Sequence, residues 1–169
     1  FTGFGKSRRV VLYDTLVENH SHDELLGIFA HEVGHYKRRH ILKQFAISII
    51  STGMMLFLLK ISLMNPLLFQ AFNIETLSIY ASLIIFSFIV IPLNYVLGIS
   101  MMFLSRRYEY EADAYAIQST ENKTAFITAL KRLSVDNLSN LTPHPFKVIV
   151  EYSHPPLLTR IAHIKSVKI

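Results

Sequence analysis

His31-Glu32-Val33-Gly34-His35 sets two imidazoles four residues apart with a carboxylate between them. On a helix, residues four apart share a face, so both rings can reach one metal ion. Glu32 is carried one residue round from His31, close enough to act on a water at that metal. Two ligands and a general base on one turn is the pattern expected of a zinc hydrolase. A solvated helix face is the ordinary competing reading, and the flanks argue against it. Ser21-x-x-Glu24 is a capping box that starts a helix just upstream. Leu25, Leu26, Ile28, Phe29 and Val33 then give that helix an apolar side.

A catalytic zinc normally takes three ligands from protein. The chain has no cysteine, which excludes a thiolate site, a disulfide framework and a cysteine nucleophile. The extended form of the motif needs a glycine three residues after His35 and a histidine six after it; Arg38 and Ile41 stand there. His40 is present, but five residues from His35 is about 140° round a continuous helix. It therefore reads as an interfacial or solvated residue. Glu109, in Arg106-Arg107-Tyr108-Glu109-Tyr110-Glu111-Ala112-Asp113-Ala114, is the better candidate. Glu109 and Asp113 share a helix face, whereas Glu111 points elsewhere, toward solvent. Glu109 would ligate zinc, and Asp113 would accept a hydrogen bond from the outer nitrogen of a ligand histidine.

The elements that must position these groups are unusually apolar. Of 169 residues 51% are apolar and only 17% charged, against a typical ~25%. The net charge of +5 carries no basic low-complexity tract, which suits a membrane surface rather than nucleic acid. Residues 1–13 read as a β-hairpin: Phe1, Thr2, Gly3 and Phe4 as a first strand, Gly5-Lys6-Ser7 as the turn, then a β-branched second strand. A helix over residues 22–43 carries the H-E-x-x-H. Residues 45–63 follow as a first transmembrane helix, uncharged except for Lys60, and Asn65-Pro66 ends the run. Residues 77–104 form a second, without charge and kinked at Pro92. A buried helical hairpin of a large soluble protein is the alternative; two such runs with polar flanks suit lipid better.

Lys37, Arg38, Arg39 and Lys43 precede the first run, and Arg106 and Arg107 follow the second. Positive ends on one side of a hairpin place that side, and the H-E-x-x-H with it, in the cytoplasm. Residues 105–169 return to a soluble pattern, with the E-x-x-x-D helix, an amphipathic helix, a Pro/His-rich loop and a last helix starting at Pro156. Phe1 is not methionine and no signal-peptide pattern follows it, so the chain reads as a piece of something longer.

H-E-V-G-H, an uncharged hairpin, and then S-R-R-Y-E-Y-E-A-D-A-Y-A together resemble the M48 metallopeptidases, specifically the type I CAAX prenyl proteases. The N-terminal G-F-G-K-S-R-R-V-V-L-Y-D-T-L and the C-terminal Y-S-H-P-P-L-L-T-R-I fit the same family, so the likeness runs from Phe1 to about Ile164. The resemblance implies one peptidase domain over residues 1–169. That domain would be a mainly α, membrane-associated zincin of the gluzincin kind. A small N-terminal β-hairpin would precede it, and a two-helix transmembrane hairpin would lie between its zinc-binding helices. It implies one Zn2+ per chain on His31, His35 and Glu109, with Glu32 as general base. It also points to His154, which Pro155-Pro156 hold on a stiffened segment where it can donate to an oxyanion. Arg160 occupies the arginine of the family's H-P-P-L-L-x-R run, either anchoring the site or the substrate's terminal carboxylate, or pairing with Asp113 or another acid. Phe1, Thr2, Gly3 and Phe4 match part of the edge to which the family adds an extended substrate as a strand.

The implied function is a membrane-embedded zinc endopeptidase acting on peptide or protein substrates, with C-terminal CAAX processing of prenylated chains as the family's activity. Two alternatives stand beside it: a membrane-protein quality-control protease like the HtpX relatives, and a non-catalytic membrane scaffold with a structural metal. Glu32 argues against the scaffold, because a structural site has no use for a general base.

Overall fold

A computed structural model describes Val11 and residues 14–169. Of the hairpin expected over residues 1–13, Val11 alone is described, and it is not in a strand; the rest, with Phe1, Thr2, Gly3 and Phe4, lies outside the described residues. Among those described there are eight helices and no strand. They are α1 (Asp14–Asn19), α2 (His22–Lys37), α3 (His40–Ser62), α4 (Pro66–Ala71), α5 (Ile79–Thr120), α6 (Lys123–Asp136), α7 (Pro145–Glu151) and α8 (Leu157–Ser166). The chain divides into two compact units, residues 1–40 with 102–169, and residues 41–101.

In the first unit α2 opens with the capping box: Ser21 Oγ accepts from the Glu24 amide and the Glu24 carboxylate accepts from the Ser21 amide. Glu24 is buried, and Arg132 from α6 pairs with it at 3.2 Å. The packed face of α2 differs from the expected one. Leu26 and Phe29 are exposed, while Glu24, Gly27, Ala30, His31 and Gly34 are buried. The spacing is still three and four, but small residues carry it, because other helices press close. A Cβ on Gly27 would stand 3.0 Å from the Phe126 ring, and one on Gly34 3.1 Å from the Ala112 backbone of α5. Ala30, Ala116, Ile117, Phe126, Leu130 and Ile164 form the core, drawn from α2, α5, α6 and α8.

The helix expected over residues 22–43 stops earlier. The Arg38 amide donates to Gly34 O, the Arg39 amide to Tyr36 O, and Arg39 takes φ 57°, the left-handed region. That costs a non-glycine residue about 1–2 kcal/mol. The helix ends there, and α3 starts afresh at His40.

In the second unit, α3 and α5 supply two helices long and apolar enough to cross a membrane. Protein covers little of them: 6% and 11% of their most apolar windows are buried, so neither is the core helix of this chain. Phe69 and Ile85 are the buried apolar side chains of this unit among the described residues. Its two buried hydroxyls among the described residues are satisfied within the unit. Ser62 Oγ donates to Leu58 O, and Ser82 Oγ donates to Ser78 O while accepting from the Met64 amide. Asn65 caps the short α4, with Pro66 in its first turn. The second apolar run and the E-x-x-x-D segment are one helix, α5, which continues through Pro92.

Candidate metal centre

Helix α2 carries His31, Glu32 and His35; α5 carries Glu109 and Asp113. Gly34 and Ala112 bring the two helices together, so a larger side chain at either position would push the histidines away from the acids. His31 Nε2 and His35 Nε2 lie 3.1 Å apart. Glu109 reaches both, at 3.6 Å from His31 Nε2 and 3.3 Å from His35 Nε2. One ligand atom from each of the three residues falls within 4.8 Å of the others. Glu109 is 5% exposed and His31 9%.

The outer nitrogen of His31 faces Asp113. Its Nδ1 is 2.9 Å from Asp113 Oδ1, a short contact that lies off the N–H axis. Arg160 grips the same carboxylate with two bonds, Nε to Oδ2 at 2.9 Å and Nη2 to Oδ1 at 2.5 Å. It also approaches Glu109 at 3.5 Å, so of the two readings of Arg160 the structure displays the ion pair with Asp113. Burial would raise both carboxyls. At Glu109 the bonds from His154 and His35 and the charges of His31 and Arg160 outweigh it, holding the group well below the usual carboxylate range. At Asp113, His31 and Arg160 likewise outweigh burial and lower it. Burial works against the Arg160 charge too, and Asp113 and Glu109 more than restore it.

His154 stands at the mouth of α8, two-thirds exposed, with Nδ1 3.1 Å from Glu109 Oε2. That bond raises its pKa against the effect of partial burial. The segment holding it is anchored by a residue the sequence offered only as a membrane-flanking charge. Arg106 donates to Val148 O at 2.8 Å and Tyr152 O at 2.6 Å, closing the C-terminal end of α7 just before His154. Glu32 is half-buried, and among the described residues no hydrogen bond or ion pair engages its carboxylate.

Two expectations need correction. His40 is not solvated but 2% exposed, its Nδ1 3.0 Å from His35 Nδ1 and its ring stacked on Tyr108 at 4.1 Å. Glu111 does not point away: its carboxylate lies 3.2 Å from His40 Nε2 and accepts from Arg107 Nε at 3.1 Å. Five residues put His40 about 140° from His35 only on a continuous helix, and the left-handed Arg39 breaks the helix between them.

The donor set fits a zinc ion. With its proton on Nδ1, toward Asp113, His31 presents a lone pair at Nε2. That lone pair, the inner nitrogen of His35 and the Glu109 oxygens converge on one point, and a shared cation is what relieves such crowding. Two imidazoles and a carboxylate form an open three-ligand set of the kind catalytic zinc takes.

A mainly helical domain with such a centre and two apolar helices between its halves defines a class, the membrane-associated metallopeptidases. The chain belongs to one family of them, peptidase family M48, whose description matches residues 1–168. It is 35% identical to the CAAX prenyl protease 1 homolog of Arabidopsis thaliana, over 96% of this chain and 38% of that one. It is 31% identical to the Homo sapiens homolog, over 99% and 43%. The crystal structure of S. mikatae Ste24p superposes with a TM-score of 0.77 at 28% identity, over 90% of this chain and 39% of that one. The chain thus spans about two fifths of the length of these relatives.

Proposed function

We propose that the chain is the catalytic core of a zinc endopeptidase embedded in a membrane. The convergence of His31, His35 and Glu109 carries this reading. These three residues would hold one zinc, which when bound supplies Lewis acidity toward a water and the scissile carbonyl. Glu32, unengaged on the same turn, takes the proton from the attacking water and returns it to the leaving amine. His154, tethered to Glu109 through Nδ1, presents Nε2 to donate to the oxyanion of the tetrahedral intermediate. Asp113 orients His31, and Arg160 holds Asp113. An extended substrate adds as a strand beside Phe1, Thr2, Gly3 and Phe4. The names of the relatives support C-terminal CAAX processing as the activity. The basic residues at the ends of the apolar runs support a site facing the cytoplasm.

Metal analysis combined with Glu32→Gln tests the mechanism. The wild-type chain should carry one zinc, and the variant should keep it while losing about 10²- to 10⁴-fold in turnover. A variant that binds zinc and cleaves at the wild-type rate removes Glu32 as base. A wild-type chain that binds no zinc removes the whole reading. For substrate, a farnesylated CAAX peptide is compared with its unprenylated form, and equal turnover removes prenyl selectivity in favour of a quality-control protease.

A further inference from the structure

His40 and Glu111 are buried or half-buried polar groups that the mechanism above does not use. Glu111, paired with Arg107, is an acceptor as a carboxylate, so the facing His40 Nε2 carries a proton. With Nε2 turned to Glu111 as donor, Nδ1 is the ring nitrogen of His40 left to accept. That atom lies 3.0 Å from His35 Nδ1, which must supply the proton of their bond. His35 is thereby left with its lone pair on Nε2, the atom 3.1 Å from His31 Nε2 and 3.3 Å from Glu109. The tautomer of His35 is thus set from two residues away, by Glu111 through His40. Geometry adds to it: Tyr108 stacks on the His40 ring, which meets the His35 ring edge-on at 81°.

We propose that Glu111 and His40 are positioning residues that fix the tautomer and ring angle of His35 for zinc. They are the counterpart, on the second histidine, of Asp113 on the first. The proposal rests on the reading of His35 as a ligand. Two variants of the intact chain in detergent micelles separate it from mere packing. His40→Phe keeps a buried ring on Tyr108 but offers His35 no acceptor. His40→Asn loses the ring but places Oδ1 where the ring nitrogen stood.

Zinc affinity is read by competition with a chromophoric chelator, and site geometry by the visible spectrum of the cobalt-substituted protein. His40→Phe is expected to bind zinc about 10- to 100-fold more weakly and to shift the cobalt bands. His40→Asn is expected to stay within about threefold of wild type with the wild-type spectrum. Wild-type affinity in a folded His40→Phe overturns the proposal. So does equal loss in the two variants, because then the ring and not the acceptor matters. Either result leaves the metal centre itself standing, whereas a wild-type chain without zinc removes the centre and the relay together.

Discussion

The two units solve opposite problems with the same kind of helix. Residues 1–40 and 102–169 bury polar groups, among them Glu24, His31, His40, Glu109 and Asp113, and pair each with a partner. Residues 41–101 bury Ser62 and Ser82, satisfied within a turn or two, and leave Ile50, Leu56, Phe57, Ile84, Phe88 and Ile91 exposed. Helix α5 belongs to both: apolar outward to Met101, then lined with buried acids. In one unit the protein replaces water around its charges. In the other the surroundings must replace it around hydrocarbon. The candidate ligands His31 and Glu109 lie among the buried groups of the first unit, where a lone pair left without a partner costs most.

The sharpest way to break the contrast is to empty the polar network. Glu109→Ala leaves His31 and His35 facing each other with no carboxylate. Structural zinc binding is worth about 10–16 kcal/mol over four ligands, so one ligand accounts for roughly 10²- to 10³-fold in affinity. Competition with a chelator reads this directly. A variant holding zinc as tightly as wild type would mean that Glu109 pairs with His154 and Arg160 only.

Next in size is a charge set at equally exposed positions of the two units. Ile50 in α3 is 70% exposed and Val135 in α6 is 71% exposed. Against lipid a lysine at the middle of a span costs roughly 2.5–3.5 kcal/mol; against water a surface substitution stays within about 0.5 kcal/mol. Ile50→Lys should therefore release much of the chain from membranes during alkaline extraction, and Val135→Lys should not. If both remain in the membrane fraction alike, α3 does not face lipid at that point.

What could be read from the sequence followed from locality. The i,i+4 pairs His31/His35 and Glu109/Asp113 need only one turn of helix to be placed on a face. The apolar runs need only composition. What could not be read depended on contacts between distant segments. The break after α2 has neither glycine nor proline to announce it; Arg39 bears the left-handed turn, and His40 lies against His35 where a continuous helix would turn it away. Leu26 and Phe29 suggested the packed face of α2, yet the close approach of α5 and α6 selects Gly27, Ala30 and Gly34 instead. Arg106 reads as a membrane-flanking charge, and its bonds to the end of α7, more than forty residues on, follow from no local pattern.

The smallest test compares glycines in the two units. Gly34 sits where an added Cβ meets Ala112 Cα, Ala112 O and Tyr115 Cβ, all at 3.1 Å, and two of the three atoms are backbone that cannot swing aside. Gly34→Ala should cost about 1–3 kcal/mol through overpacking, and should weaken zinc as well, because the displaced helix carries both histidines. Gly53, in the middle of α3, has nothing within 4 Å of its added Cβ. There Gly53→Ala removes only the entropy of a helical glycine, a gain of about 0.5–1 kcal/mol. Thermal unfolding in micelles should shift in opposite directions for the two variants. A loss at Gly53 as large as that at Gly34 would reveal another helix packed against α3, and the second unit would then be protein-covered rather than lipid-facing on that side.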